Sequence, residues 1–150
     1  MSTKEPDHHD AEIVMKLYDL RREPLLRESR KALGAFLPRS YDELAAVLKP
    51  EHPLNAAYRQ VSSYWEMAYG FARHGIVHAE LLLETGGEGI LLFAKVEPYL
   101  QRLRQEYSAV AFRNAEWASR ECAEGRRLLE VFRSRVRKML ENGEQDAWAL

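Results

Sequence analysis

Among the residues whose types and spacing could support chemistry, His78-Ala79-Glu80 match half of a zinc deaminase signature. In those enzymes the histidine binds zinc and the glutamate transfers protons, while a P-C-x-x-C segment supplies the other ligands. This chain has a single cysteine, Cys122, so the second half is missing. We therefore interpret His78 and Glu80 as an exposed pair near the start of a helix.

The remaining histidines do not form a metal-binding pattern. His74 and His78 are four residues apart, a spacing that places two ligands on one helix face, but Gly75 between them is expected to end the helix. His8-His9-Asp10 lies close to the N-terminus, where a helix end frays. We predict no metal site and no cofactor.

Two further segments resemble functional elements only in part. Thr85-Gly86-Gly87-Glu88-Gly89 precedes a predicted helix, as phosphate loops do, but no strand precedes it and Glu88 would repel a phosphate. We interpret the segment as a flexible turn. Cys122 could act as a nucleophile near Arg120 and Arg126, but a free cysteine more often packs as a small hydrophobic residue.

The strongest candidate for a ligand site is an aromatic stripe with an adjoining carboxylate. Its members recur at helical spacing and are Tyr58, Trp65, Glu66 and Tyr69. The stripe either lines a small polar pocket or is ordinary core, since aromatic side chains dominate packing. Glu66 falls near Arg59 and Arg73 on the helical wheel, so an ion pair is its alternative role.

A second candidate is a basic surface on the last predicted helix. Its members are Arg126, Arg127, Arg133, Arg137 and Lys138. A basic amphipathic helix binds nucleic acid, anionic lipid or a partner groove, but it is also typical of a terminal helix with a cationic outer face. The opposite face carries an apolar stripe, Leu129, Phe132, Val136 and Met139, which must pack on the core or on another chain.

The elements that would position these residues are all helical, because apolar residues recur every three to four positions. Asp7 with Asp10, and Ser40 with Glu43, are predicted helix starts. The clearest helices run from about Leu54 to His74, from Glu88 to Tyr107 with a bend at Pro98, and from Ala123 to Glu141. Pro24 is expected to kink the first helix or begin a second one. Ser108 is a candidate cap for the next-to-last helix.

Length and composition set the class. The 150 residues carry a net charge of −1, with 46% hydrophobic and 30% charged residues. We predict one all-α domain over 1–150, an irregular bundle of about six or seven helices, with mobile ends at 1–9 and 142–150. The longest purely apolar run, Ile90 to Ala94, is far too short for a membrane span, so we predict a cytoplasmic protein.

Several stretches of the sequence form one recognisable pattern. They are Lys16 to Glu23 with 26–27 and 29–30 after it, the Tyr64-Trp65-Glu66-Met67 segment and the Gly75-Ile76-Val77 turn. The others are 52–55, 59–61, 93–95 and 98–100 with Arg104 a turn later. Together they resemble a group of short bacterial helical proteins and the wider bacterial domain-of-unknown-function family numbered 4760. The resemblance implies a bacterial source and an all-helical domain, and it brings no substrate, cofactor or catalytic residue.

The sequence favours a binding protein over an enzyme. Our leading hypothesis is a helical binding or adaptor protein whose partner is another protein or a second copy of itself. The first alternative is a small-molecule sensor or enzyme with a pocket around Trp65 and Glu66. The second is weak nucleic-acid or membrane-surface binding through the last helix, and the near-neutral charge argues against nucleic acid as the main partner.

Overall fold

The computed structural model describes residues 4–142, which form nine α-helices and no strand. The helices are α1 (His8–Arg21), α2 (Pro24–Ala32), α3 (Tyr41–Val47), α4 (Asn55–Arg73), α5 (Ala79–Thr85), α6 (Glu88–Val96), α7 (Leu100–Glu106), α8 (Arg113–Glu121) and α9 (Ala123–Asn142). Single 3₁₀ turns follow α2 and α6. The all-α prediction is confirmed. The expected mobility of 1–3 and 143–150 concerns residues outside those described.

The predicted count of six or seven helices is too low, because two prolines act as boundaries. Pro24 begins α2 at its first position, where the missing N–H costs nothing. Pro98 lies in the 3₁₀ turn that ends α6, so the predicted helix from Glu88 to Tyr107 is divided into α6 and α7.

Two of three predicted helix starts are where the sequence places them. Asp7 accepts hydrogen bonds from the backbone N–H groups of His9 and Asp10, and Asp10 bonds back to the Asp7 N–H. Ser40 caps α3 through the Glu43 N–H at 3.2 Å. The prediction for Ser108 was wrong, since α8 begins only at Arg113.

The core is organised around α6, in which all nine residues are buried. Three helices, α4, α8 and α9, pack directly against it. The apolar stripe of α9 faces this core, and its members Leu129, Phe132, Val136 and Met139 are all buried. The stripe therefore packs on the core of its own chain, which was one of the two interpretations of the sequence.

The close contact between α4 and α6 depends on Gly89. A Cβ at this position would lie 2.6 Å from the Trp65 Cβ and 2.6 Å from Cε2 of Tyr69. Side chains of α4 thus touch the backbone of α6, which fixes the rotation of α4 about its axis. Within residues 4–142, no helix has both the length and the apolar composition needed to cross a membrane.

We expect Gly89→Ala to lower the free energy of unfolding by about 1–3 kcal/mol, because the added methyl overpacks the contact between α4 and α6. Urea unfolding followed by circular dichroism measures the change. Gly87→Ala is the matched control, since its Cβ would first meet a flexible Leu128 methyl at 3.2 Å. Equal losses in the two variants would show that α4 and α6 are not in this close contact.

Candidate functional site

Two members of the predicted aromatic stripe pack on α6, and the other two line a groove beside α4. Trp65 and Tyr69 point into the core and are 2% and 0% exposed. The Trp65 indole N–H donates to Oε1 of Glu88 at 3.0 Å, and the Tyr69 hydroxyl donates to the Gly86 carbonyl at 2.6 Å. Burial raises the pKa of Tyr69, which keeps its hydroxyl a donor. These two residues are structural anchors rather than a pocket lining.

Glu88 is the acceptor at the centre of this core contact. Its carboxylate is only 6% exposed and receives the Arg30 Nε–H on both oxygens at 2.9 Å, with Nη2 of Arg30 also 2.9 Å away. The Arg21 guanidinium lies 5.2 Å above the Trp65 ring at the edge of the cluster. The interpretation of Glu88 as part of a flexible turn was wrong, because its charge is paired inside the fold.

Glu66 lies on a different side of α4 from Trp65, and it caps a helix that is distant in the sequence. Its carboxylate accepts the backbone N–H groups of Asn114 at 3.0 Å and Ala115 at 2.8 Å, the first turn of α8. Asn114 also donates from its side chain to the Glu66 carbonyl at 2.9 Å. Burial raises the pKa of Glu66, although the two N–H bonds and nearby Arg113 act in the opposite direction. The alternative role expected for Glu66, an ion pair with an arginine of another helix, is not present among the described residues.

A groove of about 520 Å³ opens beside Glu66, between α4 and the linker from 107 to 112 that joins α7 to α8. It contains two members of the predicted stripe, Tyr58 and Glu66, while Trp65 and Tyr69 lie outside it. The other lining residues are Leu48, Ser62, Ser63, Met67, Leu103, Tyr107, Ser108, Val110, Ala111, Phe112, Arg113 and Asn114. We call this feature the α4 groove.

The floor of the α4 groove is aromatic. The Phe112 ring lies 6.4 Å from that of Tyr58 and 6.1 Å from that of Phe93. Phe112 has a φ of 58°, a left-handed conformation that bulky residues rarely adopt. Such conformations persist only where surrounding contacts hold them, and they are concentrated at functional sites.

A smaller cavity, of about 380 Å³, holds most of the remaining residues that suggested chemistry. His78 is the cap of α5, accepting the Leu81 N–H at Nδ1, and its own N–H donates to Asp10 at 2.8 Å. The Glu80 carboxylate caps α9 through the N–H groups of Ala123 and Glu124. His78 and Glu80 are therefore half-buried capping residues rather than an exposed pair.

Cys122 also lines that cavity. Its side chain is fully buried, and burial raises the thiol pKa to about 11. A thiol in this state is protonated near neutrality and a poor nucleophile. No cluster of His, Cys, Asp or Glu among residues 4–142 could hold a metal ion.

The predicted basic surface on α9 is largely paired within the chain. Arg126 donates to the Arg120 carbonyl at 2.9 Å, Arg127 pairs with Glu124, and Arg133 pairs with Glu97 across to the end of α6. Arg137 and Lys138 are exposed and have no such partner among the described residues. Arg126, Arg137 and Lys138 thus keep charges that no carboxylate among the described residues offsets, and phosphate binding through this surface stays a prediction.

Comparison with known protein families gives a match. A family model described as a domain of unknown function, DUF4760, matches residues 6–121, more than two thirds of the chain. The matched region includes α4, α6, α8 and the whole lining of the α4 groove. No curated protein and no solved structure matches the chain.

We expect Trp65→Phe to cost about 1–3 kcal/mol of unfolding free energy, because it removes one donor from the buried Glu88 carboxylate while keeping an aromatic ring. Thermal and urea unfolding measure the loss. Trp117→Phe is the control, since the Trp117 indole is only partly buried and donates no hydrogen bond within 4–142. A loss no greater than that of the control would mean that Glu88 does not need the indole N–H.

We expect Glu66→Gln to remove a pH dependence of stability. Because the pKa of Glu66 is raised, the folded chain holds this proton more tightly than the unfolded chain does. The contribution of Glu66 is thus largest below its ordinary pKa of 4.5 and is lost as the pH rises through the raised pKa. Urea unfolding of both proteins from about pH 4.5 to 7 should show the advantage of the wild type shrinking. An advantage that grows with pH would contradict this.

Proposed function

We propose that this chain, which belongs to the DUF4760 family, is a binding protein rather than an enzyme, and that the α4 groove takes a small apolar molecule. The observation that carries the proposal is the concentration of exposed apolar side chains around one groove. Three of them, Met67, Tyr107 and Val110, are 43%, 52% and 54% exposed and line it together.

The size and lining of the α4 groove support a ligand site. Small-molecule sites are concave, mostly apolar and about 300–1,000 Å³ in volume, a range that includes this groove. Grouped exposed apolar side chains mark binding surfaces more often than scattered ones do. Met67 at the rim has a flexible thioether side chain, which adapts to ligands of different shape.

The use of the reactive side chains supports binding rather than catalysis. The two oxygens of Glu66 accept N–H groups of α8, and those of Glu80 accept N–H groups of α9. His78 accepts a backbone N–H, so its Nδ1 is occupied. Glu66, Glu80 and His78 are thus each engaged in holding a helix terminus.

A second candidate is an adaptor role, favoured by the outer surface of α1 and α2. Only Leu17 is buried in the 14 residues of α1, while Met15 and Leu25 are 66% and 60% exposed and Tyr18 lies half-exposed beside them. Under this candidate a second copy of the chain covers these residues. Sedimentation velocity over a range of concentrations tests it, with Met15→Lys as the variant expected to abolish any dimer.

The ligand-binding proposal predicts that the uncharged probe N-phenyl-1-naphthylamine binds the α4 groove and gains fluorescence. Val110→Lys should weaken this binding by at least tenfold, because a charge at the rim must be desolvated by the probe. Val131→Lys, at a similarly exposed valine on α9, is the control and should bind as the wild type does.

Both variants should unfold at the temperature of the wild type, since both valines are exposed. Probe binding that is absent from the wild type, or that survives Val110→Lys unchanged, would contradict the proposed function. If both variants lost binding, the probe would not be bound specifically in the α4 groove, and this result would also contradict the proposed function.

A further inference from the structure

We infer that the ligand of the α4 groove is an apolar carboxylate, bound through the Arg113 guanidinium at its charged end and through the groove floor along its body. This inference rests on the proposed function and names the chemical class of its ligand. It follows from the charges around the groove, from an unused hydroxyl at its floor and from its length.

Two charged side chains line the groove, the carboxylate of Glu66 and the guanidinium of Arg113. Glu66 has both oxygens bonded to backbone N–H groups of α8, so its charge is offset by the positive end of that helix. The Arg113 side chain makes no hydrogen bond or ion pair within residues 4–142. The groove therefore presents one guanidinium whose N–H groups have no partner among those residues, although its charge also acts on Glu66.

The other charged side chains near Arg113 have hydrogen-bond partners of their own. Arg104 bonds to the Ala111 carbonyl and pairs with Glu116, which also receives Arg120. Arg73 donates to the neutral side chain of Asn114. The carboxylate on the groove lining is that of Glu66, whose two oxygens both accept backbone N–H groups. A guanidinium binds a carboxylate with two parallel N–H bonds, which selects this anion over a neutral polar group.

Tyr58 supplies a second donor beside the same ring. Its side chain is 6% exposed and lines the groove, yet its hydroxyl forms no hydrogen bond with a described residue. Burial alone raises its pKa, so the hydroxyl stays protonated and can donate. Tyr58 packs against the ring of Phe112, and both Tyr58 and Arg113 line the groove.

The apolar body of the ligand fits the remaining wall. From Tyr58 to Met67 the groove follows about 14 Å of α4, at 1.5 Å for each residue. Leu103, Val110 and Phe112 line the opposite side. A straight alkyl chain of medium length fits such a narrow apolar wall, so decanoate is the probe we choose.

The test is displacement of N-phenyl-1-naphthylamine by decanoate and by decan-1-ol, which share the alkyl chain and differ in charge. We expect decanoate to bind the wild type about tenfold or more tightly than the alcohol does. Arg113→Gln should weaken decanoate about tenfold and leave decan-1-ol unchanged. Tyr58→Phe should weaken binding by a smaller factor, because one neutral hydrogen bond is lost.

Arg137→Gln, at an unpaired arginine on α9, is the matched control and should bind both compounds as the wild type does. If the probe binds and decan-1-ol displaces it as well as decanoate does, the inference fails while the proposed function stands. If an amphipathic helical peptide displaces the probe and decanoate does not, the occupant is a protein segment and the inference is overturned. If the probe never binds, the proposed function has failed first.

Discussion

The buried carboxylate of Glu88 is the contact on which the arrangement of the other helices depends. It joins three helices, because Arg30 reaches it from α2 and Trp65 from α4 while Glu88 itself belongs to α6. A buried charge is costly unless its hydrogen bonds are all made, so only the register that supplies these donors is favourable. Gly89 lets α4 approach closely enough for the Trp65 indole to reach. Once α4 is fixed in this rotation, Met67 is exposed, Glu66 is half-buried, and the buried side chain of Tyr58 borders the groove.

The second recurring feature is a carboxylate that caps a helix remote in sequence. Asp10 receives the N–H of His78 before α5, Glu66 receives the start of α8, and Glu80 receives the start of α9. The first N–H groups of a helix have no partner inside that helix, and its N-terminus is positive, so a carboxylate stabilises it twice over. These bonds explain why residues of catalytic type occur in a chain whose site has an apolar character.

The sequence predicts what depends on neighbours within a helix and misses what depends on the assembled core. The Asp7 cap, the span of α4 and the inward stripe of α9 follow from local spacing, and the structure has all three. The partner of Glu66 lies 48 residues away, so no spacing within α4 indicates it. Lys95, which interrupts an apolar run in the sequence, is 1% exposed, and its ammonium lies 5.9 Å from the centre of the Phe36 ring.

Helix geometry alone places the aromatic members of the predicted stripe on one side of α4. Successive residues on an α-helix differ by about 100° around its axis, so Tyr58, Trp65 and Tyr69 fall within about 40° of one another. All three are buried. Glu66 lies about 60–100° away from these three on the flank of that face, four residues after Ser62. Helix geometry does not reveal the opposite wall of the groove, which comes from the linker between α7 and α8.

The conformation of the linker from 107 to 112 determines whether the groove forms. If α8 began at Ser108, as the side chain of Ser108 suggests, Val110 and Phe112 would be helical residues. The wall of the groove would then be a regular helix packed beside α4. Instead Phe112 takes a left-handed conformation and sends its ring inward, while Val110 remains on the rim. The strain of that conformation is opposed by the ring contacts with Tyr58 and Phe93 and by the Glu66 bonds to the next two N–H groups. The same contacts that delay the start of α8 thus form the floor of the groove, so the binding surface and the stability of the linker have one physical origin.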